Sequence, residues 1–133
     1  MAASGSLITR SPVVMKADRA RNVLRIVYRD NVRPPHTLAQ LEFVPRELAK
    51  MRNGFTLVTD LSELDAMDLD CCTHVTRVMD LALAAGIGRV IRIIPNPRKD
   101  IGFNLLSLVH YHGKVPTITC KTRAEAAAEL ARR

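Results

Sequence analysis

The run Phe55-Thr-Leu-Val-Thr59 constrains the fold more than any other segment. It is nearly continuous in apolar or β-branched residues, as a strand buried on both faces would be. Such a strand needs cover on each side, which helices packed on a mostly parallel sheet provide. The flanking patterns agree. Val13-Val-Met-Lys16 and Val23-Leu-Arg-Ile-Val-Tyr28 are short strands joined by a polar connection with Asp18 and Asn22, and read as a hairpin. Val90-Ile-Arg-Ile-Ile94 and Val115-Pro-Thr-Ile-Thr-Cys120 supply two further strands.

Helical spacing fills the intervals. Leu38, Leu41, Val44, Leu48 and Met51 recur every three or four residues, the period of one helix face. Pro34-Pro35 is expected to break the chain, and Thr37 to cap this helix. Pro45 predicts a kink or two short helices. A second helix is expected over 68–85, with Val75, Val78, Met79, Ala82 and Ala85 buried and with Asp68 and Asp70 capping its first turn. A third is expected over 101–111, and Thr122-Arg-Ala-Glu125 is a capping box that opens a fourth. The expected class is therefore α/β, a mixed five-stranded sheet with four main helices, an N-terminal hairpin and then alternating strand and helix.

The length of 133 residues suits one domain, with 1–12 expected to be a disordered lead and 13–133 the folded unit. With no Trp, two Tyr and three Phe, the core has to come from Leu, Ile, Val, Ala and Met. No apolar run approaches the ~20 residues of a membrane span. The N-terminus lacks the charged-then-apolar pattern of a secretory signal. Three cysteines, two of them adjacent, fit reduced thiols better than a disulfide framework, so a cytoplasmic location is expected.

The net charge of +7 is unevenly spread. From Asp60 to Asp80 six acidic residues face one basic residue, Arg77, whereas from Leu81 to Arg123 seven basic residues face only Asp100. This polarity fits two solvated surfaces of opposite sign, or docking of a charged partner or of a second copy, as in a homodimer. Nucleic acid is not an expected partner. Neither aromatic stacking positions nor a reading helix accompany the basic residues, and the acidic stretch would repel phosphates.

No catalytic constellation stands out. Cys71-Cys72 lies near a helix start, where thiol pKa values fall, but Asp68 and Asp70 oppose that effect and core packing explains the pair better. His110 and His112 are two apart, a spacing that does not share a helix face, and no third metal ligand accompanies them. Gly86-Ile-Gly88 precedes a strand instead of following one, so it marks a tight turn and not a dinucleotide site. Neither a metal nor a cofactor is expected. Asn96, Arg98 and Lys99, between a strand end and a helix start, are candidates for an anion or ligand contact.

One family resemblance emerges. Gly54-Phe55-Thr-Leu-Val-Thr-Asp60-Leu-Ser62, an Asp-containing helix start at Asp68 or Asp70, and the closing Thr122-Arg-Ala-Glu125-Ala126 together resemble the STAS domain. The likeness covers roughly residues 13–130 and is nearest to its standalone SpoIIAA-like, anti-sigma factor antagonist-like branch. Antagonists of that family carry Asp-Ser-Ser-Gly at the second helix, with a phosphorylatable Ser. Here the aligned residues are Asp68-Leu-Asp-Cys71 or Asp70-Cys-Cys-Thr73, and neither register supplies the Ser. The resemblance implies a non-enzymatic regulatory or adaptor domain that docks a protein partner through Asp60, Ser62, Asp68 and Asp70 without the phosphate switch. The alternative is a carrier of a small apolar, lipid-like ligand held between the first helix and the sheet, with reversible membrane contact.

Overall fold

The computed structural model describes residues 10–96, 111 and 113–132. Its five-stranded sheet has the order β1-β2-β4-β6-β7, formed by β1 (Val13–Asp18), β2 (Val23–Tyr28), β4 (Thr56–Asp60), β6 (Arg89–Ile93) and β7 (Thr117–Cys120). The hairpin pairs β1 with β2 antiparallel, and every other pairing in this sheet is parallel. The mixed sheet expected from the sequence is present. Among the described residues three α-helices accompany it, α1 (Pro34–Leu48), α2 (Cys72–Ala84) and α3 (Arg123–Ala131). Of the helix expected over 101–111 only Tyr111 is described, and the rest lies outside the described residues.

Strand alternation sends Leu24, Ile26, Tyr28, Leu57 and Val90 to one side, where they pack with Val44 of α1 and with Val75, Val78 and Met79 of α2. Val23, Val58, Ile91 and Cys120 point the other way, against Ala126 and Leu130 of α3. All five residues of β4 are buried, which accounts for the near-continuous apolar run that gave the strand away. Thr122 caps α3 as expected, its Oγ1 accepting from the Glu125 N–H at 3.1 Å.

Helix α1 departs from expectation at both ends. Pro34 and Pro35 do not break the chain but begin the helix, because their missing N–H groups fall among donors that a first turn leaves unpaired anyway. The Arg33 N–H donates to His36 Nδ1 at 3.0 Å, and Thr37 is buried inside the helix instead of capping it. Pro45 splits nothing. It falls in the last turn, where one lost i→i−4 bond is tolerated, and its own carbonyl accepts from the Ala49 N–H at 3.0 Å.

A second, two-stranded parallel sheet pairs β3 (Asp30–Val32) with β5 (Leu64–Met67). This ribbon was not anticipated, and half of the expected acidic loop is therefore strand. After it, a 3-10 turn over Leu69–Cys71 leads into α2. Neither Asp68 nor Cys71 caps through its side chain, so the expected capping of the second helix by Asp68 is not made. Ala85 is exposed because the helix ends at Ala84 and Gly86 turns the chain with φ +95. Residues 10–12 are already bonded to the fold, the Arg29 N–H donating to the Pro12 carbonyl at 2.8 Å.

The turn after α2 presses two backbones together. The Gly88 N–H donates to the Phe55 carbonyl at 2.7 Å, and a Cβ at Gly88 would lie 2.6 Å from the Gly54 carbonyl oxygen. Gly88→Ala should therefore lower stability by about 1–3 kcal/mol. Urea denaturation measures this directly, and an unmoved midpoint would show that the two connections can separate freely.

Candidate functional site

Asp60 ends β4 at the carboxyl edge of the parallel strands, where α/β folds commonly place their sites. Its side chain is 1% exposed. One oxygen accepts from the Ser62 N–H at 2.9 Å, and the other pairs with Arg123 Nε at 2.7 Å. Arg25 Nη1 approaches the same oxygen at 3.8 Å. Burial works to raise the Asp60 pKa, but hydrogen bonds from Ser62 and the Arg123 guanidinium outweigh it and hold the carboxyl below its ordinary value. This carboxylate faces inward, so it is not itself part of an exposed face.

Glu63 extends the same network. It accepts from Arg123 Nη2 at 2.6 Å and pairs with Arg10 Nη1 at 2.7 Å. Arg10 also forks onto both oxygens of Asp30, at 2.9 and 2.8 Å. The hydrogen bond from Arg10 lowers the Asp30 pKa, and hydrogen bonds from Arg123 and Arg10 lower that of Glu63. Three separate parts of the chain, the entry to β1, the turn into β3 and the first turn of α3, are thereby tied to the loop after β4.

The charge polarity read along the sequence is partly neutralised within the fold. Asp60 and Glu63 from the acidic stretch meet Arg123 from the basic one. Arg92 is buried in β6, donates from Nε to Thr119 Oγ1 at 3.0 Å, and has its pKa lowered by burial. Arg89 donates to the Thr56 hydroxyl and to carbonyls of Glu129, Leu130 and Arg132 at the end of α3, where a cation meets the negative end of the helix dipole.

What the loop presents outward is its tip. Asp65, Ala66, Asp68, Leu69 and Asp70 are exposed, and Leu69 at 80% is the most exposed large apolar residue among those described. The ribbon sets the tip in place. The Asp30 N–H donates to the Glu63 carbonyl at 2.9 Å, and the Asp68 N–H to the Val32 carbonyl at 3.0 Å. Beside the tip, Leu41 of α1 and Cys72, Thr73, Thr76 and Arg77 of α2 line an open groove of about 560 Å³. Thr37 Oγ1 and His74 Nδ1, 2.7 Å apart, hold the two helices together there.

The structure therefore divides the four residues expected to act together. Asp68 and Asp70 are on the surface, Ser62 is half-buried, and Asp60 is interior. Of the expected anion contact, Asn96 is exposed at the end of β6, on the same edge as the Leu61 N–H that donates to the Ile93 carbonyl, while Arg98 and Lys99 lie outside the described residues. Leu69 was passed over because an isolated exposed Leu has no periodicity to betray it. The ribbon was missed because Asp30, Asn31 and Asp65 are poor strand formers.

The apolar-carrier expectation needs a chamber beneath α1 and a helix that can open. Thr37, Gln40, Val44 and Leu48 fill that interface, Gln40 hydrogen-bonding the buried Tyr28 hydroxyl at 3.1 Å. The cavity between the sheet and α2, lined by Tyr28, Leu57, Val75 and Met79, holds about 10 Å³, room for about one water. No described helix is long and apolar enough to cross a membrane. Among the described residues no group of three or more His, Cys, Asp or Glu is placed to hold a metal.

No protein-family model matches the sequence, and comparison with curated proteins gives no significant match. Solved structures do resemble the fold. An uncharacterised DUF3478-family protein with a SpoIIAA-like fold from Shewanella loihica PV-4 superposes with TM-score 0.66 at 12% identity, over 92% of this chain and 97% of that one. The anti-sigma factor antagonist SpoIIAA in its unphosphorylated form gives 0.58 at 15% identity, over 88% and 94%. A chain from the complex of the Pseudomonas aeruginosa diguanylate cyclase SiaD with its activator SiaC gives 0.55 at 16% identity, over 85% and 94%. The fold is SpoIIAA-like, the STAS-type architecture that the sequence resembles. Neither lipid contact nor a homodimer is supported by these likenesses.

Two measurements check this site. Asp30, Asp60 and Glu63 have depressed pKa values when folded, so their stabilisation is present above the ordinary carboxylate range and fades as pH falls through and below about 4. Asp60→Asn should cost about 1–3 kcal/mol at pH 7 and flatten the acid loss of stability; equal acid slopes for variant and parent would remove Asp60 from this role. Burial raises the Cys71 pKa, so in thiol alkylation Cys71 should react only as the protein unfolds, and prompt modification of native Cys71 would contradict its packing.

Proposed function

We propose that this chain is a non-enzymatic regulatory domain that docks a protein partner through the tip Asp68-Leu69-Asp70 and the adjoining groove between α1 and α2. The observation that carries this reading is the exposure of Leu69 between two carboxylates that no arginine of the described residues pairs. An apolar side chain held out at the head of a helix is stabilised by burial only on binding, and its flanking charges would select a partner with Arg or Lys around an apolar socket. Asp60 and Ser62 act behind the tip, Asp60 fixing the loop through the Ser62 N–H and Arg123.

The likeness to an anti-sigma factor antagonist and to a chain of a cyclase–activator complex supports action by protein contact. The antagonist switch would not transfer. Between Ser62 and Ser107 the sequence has no Ser, and the helix start carries Asp70 and Cys71 instead. A carboxylate bears about one charge where a phosphate bears up to about two, so this docking face would stay permanently charged and would not be toggled.

Affinity capture from cells, followed by calorimetry with the captured partner, tests the proposal. Asp68→Lys with Asp70→Lys should weaken binding at least about tenfold, as expected for rim charges combined with a displaced anchor, and leave the circular dichroism spectrum unchanged. Leu69→Ala should lose a comparable amount. Asp18→Lys, in the hairpin away from the tip, should bind like the parent. Undiminished binding by the Asp68/Asp70 variant would sink the proposal.

A further inference from the structure

At the opposite end of the sheet three connections meet and each contributes arginine. Arg21 comes from the β1–β2 turn, Arg52 from the segment between α1 and β4, and Arg132 from the end of α3, with Arg89 at the start of β6 behind them. Together with Val23 and Leu130 they line a cleft of about 660 Å³. Among the described residues no carboxylate lines it; Asp18 and Glu129 flank it, Asp18 accepting from the Arg21 N–H and Glu129 paired with Arg132 at 3.2 Å.

The cleft is held in shape by bonds independent of any ligand. Asn22, at φ +58, accepts from the Arg52 N–H at 2.8 Å and donates to the Arg52 carbonyl at 3.2 Å, locking the hairpin turn to the α1–β4 segment. Arg52 Nη1 donates to the Arg19 carbonyl at 3.0 Å. Arg89 has its guanidinium committed to Thr56 and the end of α3, so it adds charge to the cleft and not a contact. Among the described residues the Arg21 guanidinium has no ion-pair or hydrogen-bond partner, and Arg132 is 76% exposed. In front of Gly54 a Cβ would meet nothing, so the floor is open.

We propose that this cleft binds a compact anion carrying two or more phosphate groups. Guanidinium forks match phosphate oxygens in pairs, and several cations around one concavity focus a field that a single charge would not balance. Among the described residues no aromatic side chain lines the cleft, so a nucleobase has nothing there to stack on and the phosphates themselves are the recognised group. The site lies at the amino ends of the parallel strands, across the sheet from the tip, and does not depend on the docking reading.

Calorimetric titration with inorganic pyrophosphate tests it. One saturable site is expected for the parent, for Arg46→Ala on the exposed side of α1, and for the Asp68→Lys/Asp70→Lys variant. Arg21→Ala with Arg52→Ala should weaken binding at least about tenfold, the loss expected when charge-assisted hydrogen bonds are removed. Should that double variant fold poorly, amide shifts in the parent provide the second readout, and pyrophosphate should move Asn22, Gly54 and Arg132 before any residue near Asp68. Absence of saturable binding to the parent, equal weakening by Arg46→Ala, or shifts centred on the tip would each overturn the proposal.

Discussion

The buried carboxylate of Asp60 is the interaction on which the working end of this protein depends. It sits where the central strand stops, and a charge taken out of water there has to be met by donors. The Ser62 N–H meets it from within the loop, and Arg123 meets it from the first turn of the last helix. Because Arg123 also holds Glu63, and Glu63 holds Arg10, satisfying one buried charge fixes both the entry to β1 and the start of α3. The exposed pairs of this chain are individually worth little. Their importance is positional, since they decide where the loop leaves the sheet.

Much of the scaffold was legible because its signals are local. The β-branched runs, the three-to-four spacing of Leu38, Leu41, Val44, Leu48 and Met51, and the Thr122 cap each act within a turn or a strand, and each element formed, although Leu38 faces solvent and Met51 lies beyond the helix. Two signals misled for an equally local reason. Pro34-Pro35 can either stop a helix or start one, and Pro45 breaks a helix only when enough turns follow it. The β3–β5 ribbon was illegible because its stability lies in pairing across more than thirty residues, between segments with little strand propensity of their own.

The site was legible in outline and not in depth. Sequence spacing gathers Asp60, Ser62, Asp68 and Asp70 into one loop, but it cannot tell a buried carboxylate facing a guanidinium from one facing water. That distinction comes from Arg123, sixty-three positions from Asp60. The opposed charges of the two halves of the chain had suggested two contrasting surfaces. They are partly a record of self-pairing, and what reaches the outside is a small acidic tip at one edge and an arginine cleft at the other.

The Val32 carbonyl accepts both the Asp68 N–H and the Cys71 thiol, and Val32 stands two residues before Pro34 opens α1. The tip is thus a lever with its fulcrum at Val32. Any displacement of Asp68–Asp70 has to break those two bonds or drag the head of α1 along with it. Since Thr37 of α1 is joined in turn to His74 of α2, the tip, the head of α1 and α2 are linked through one chain of hydrogen bonds.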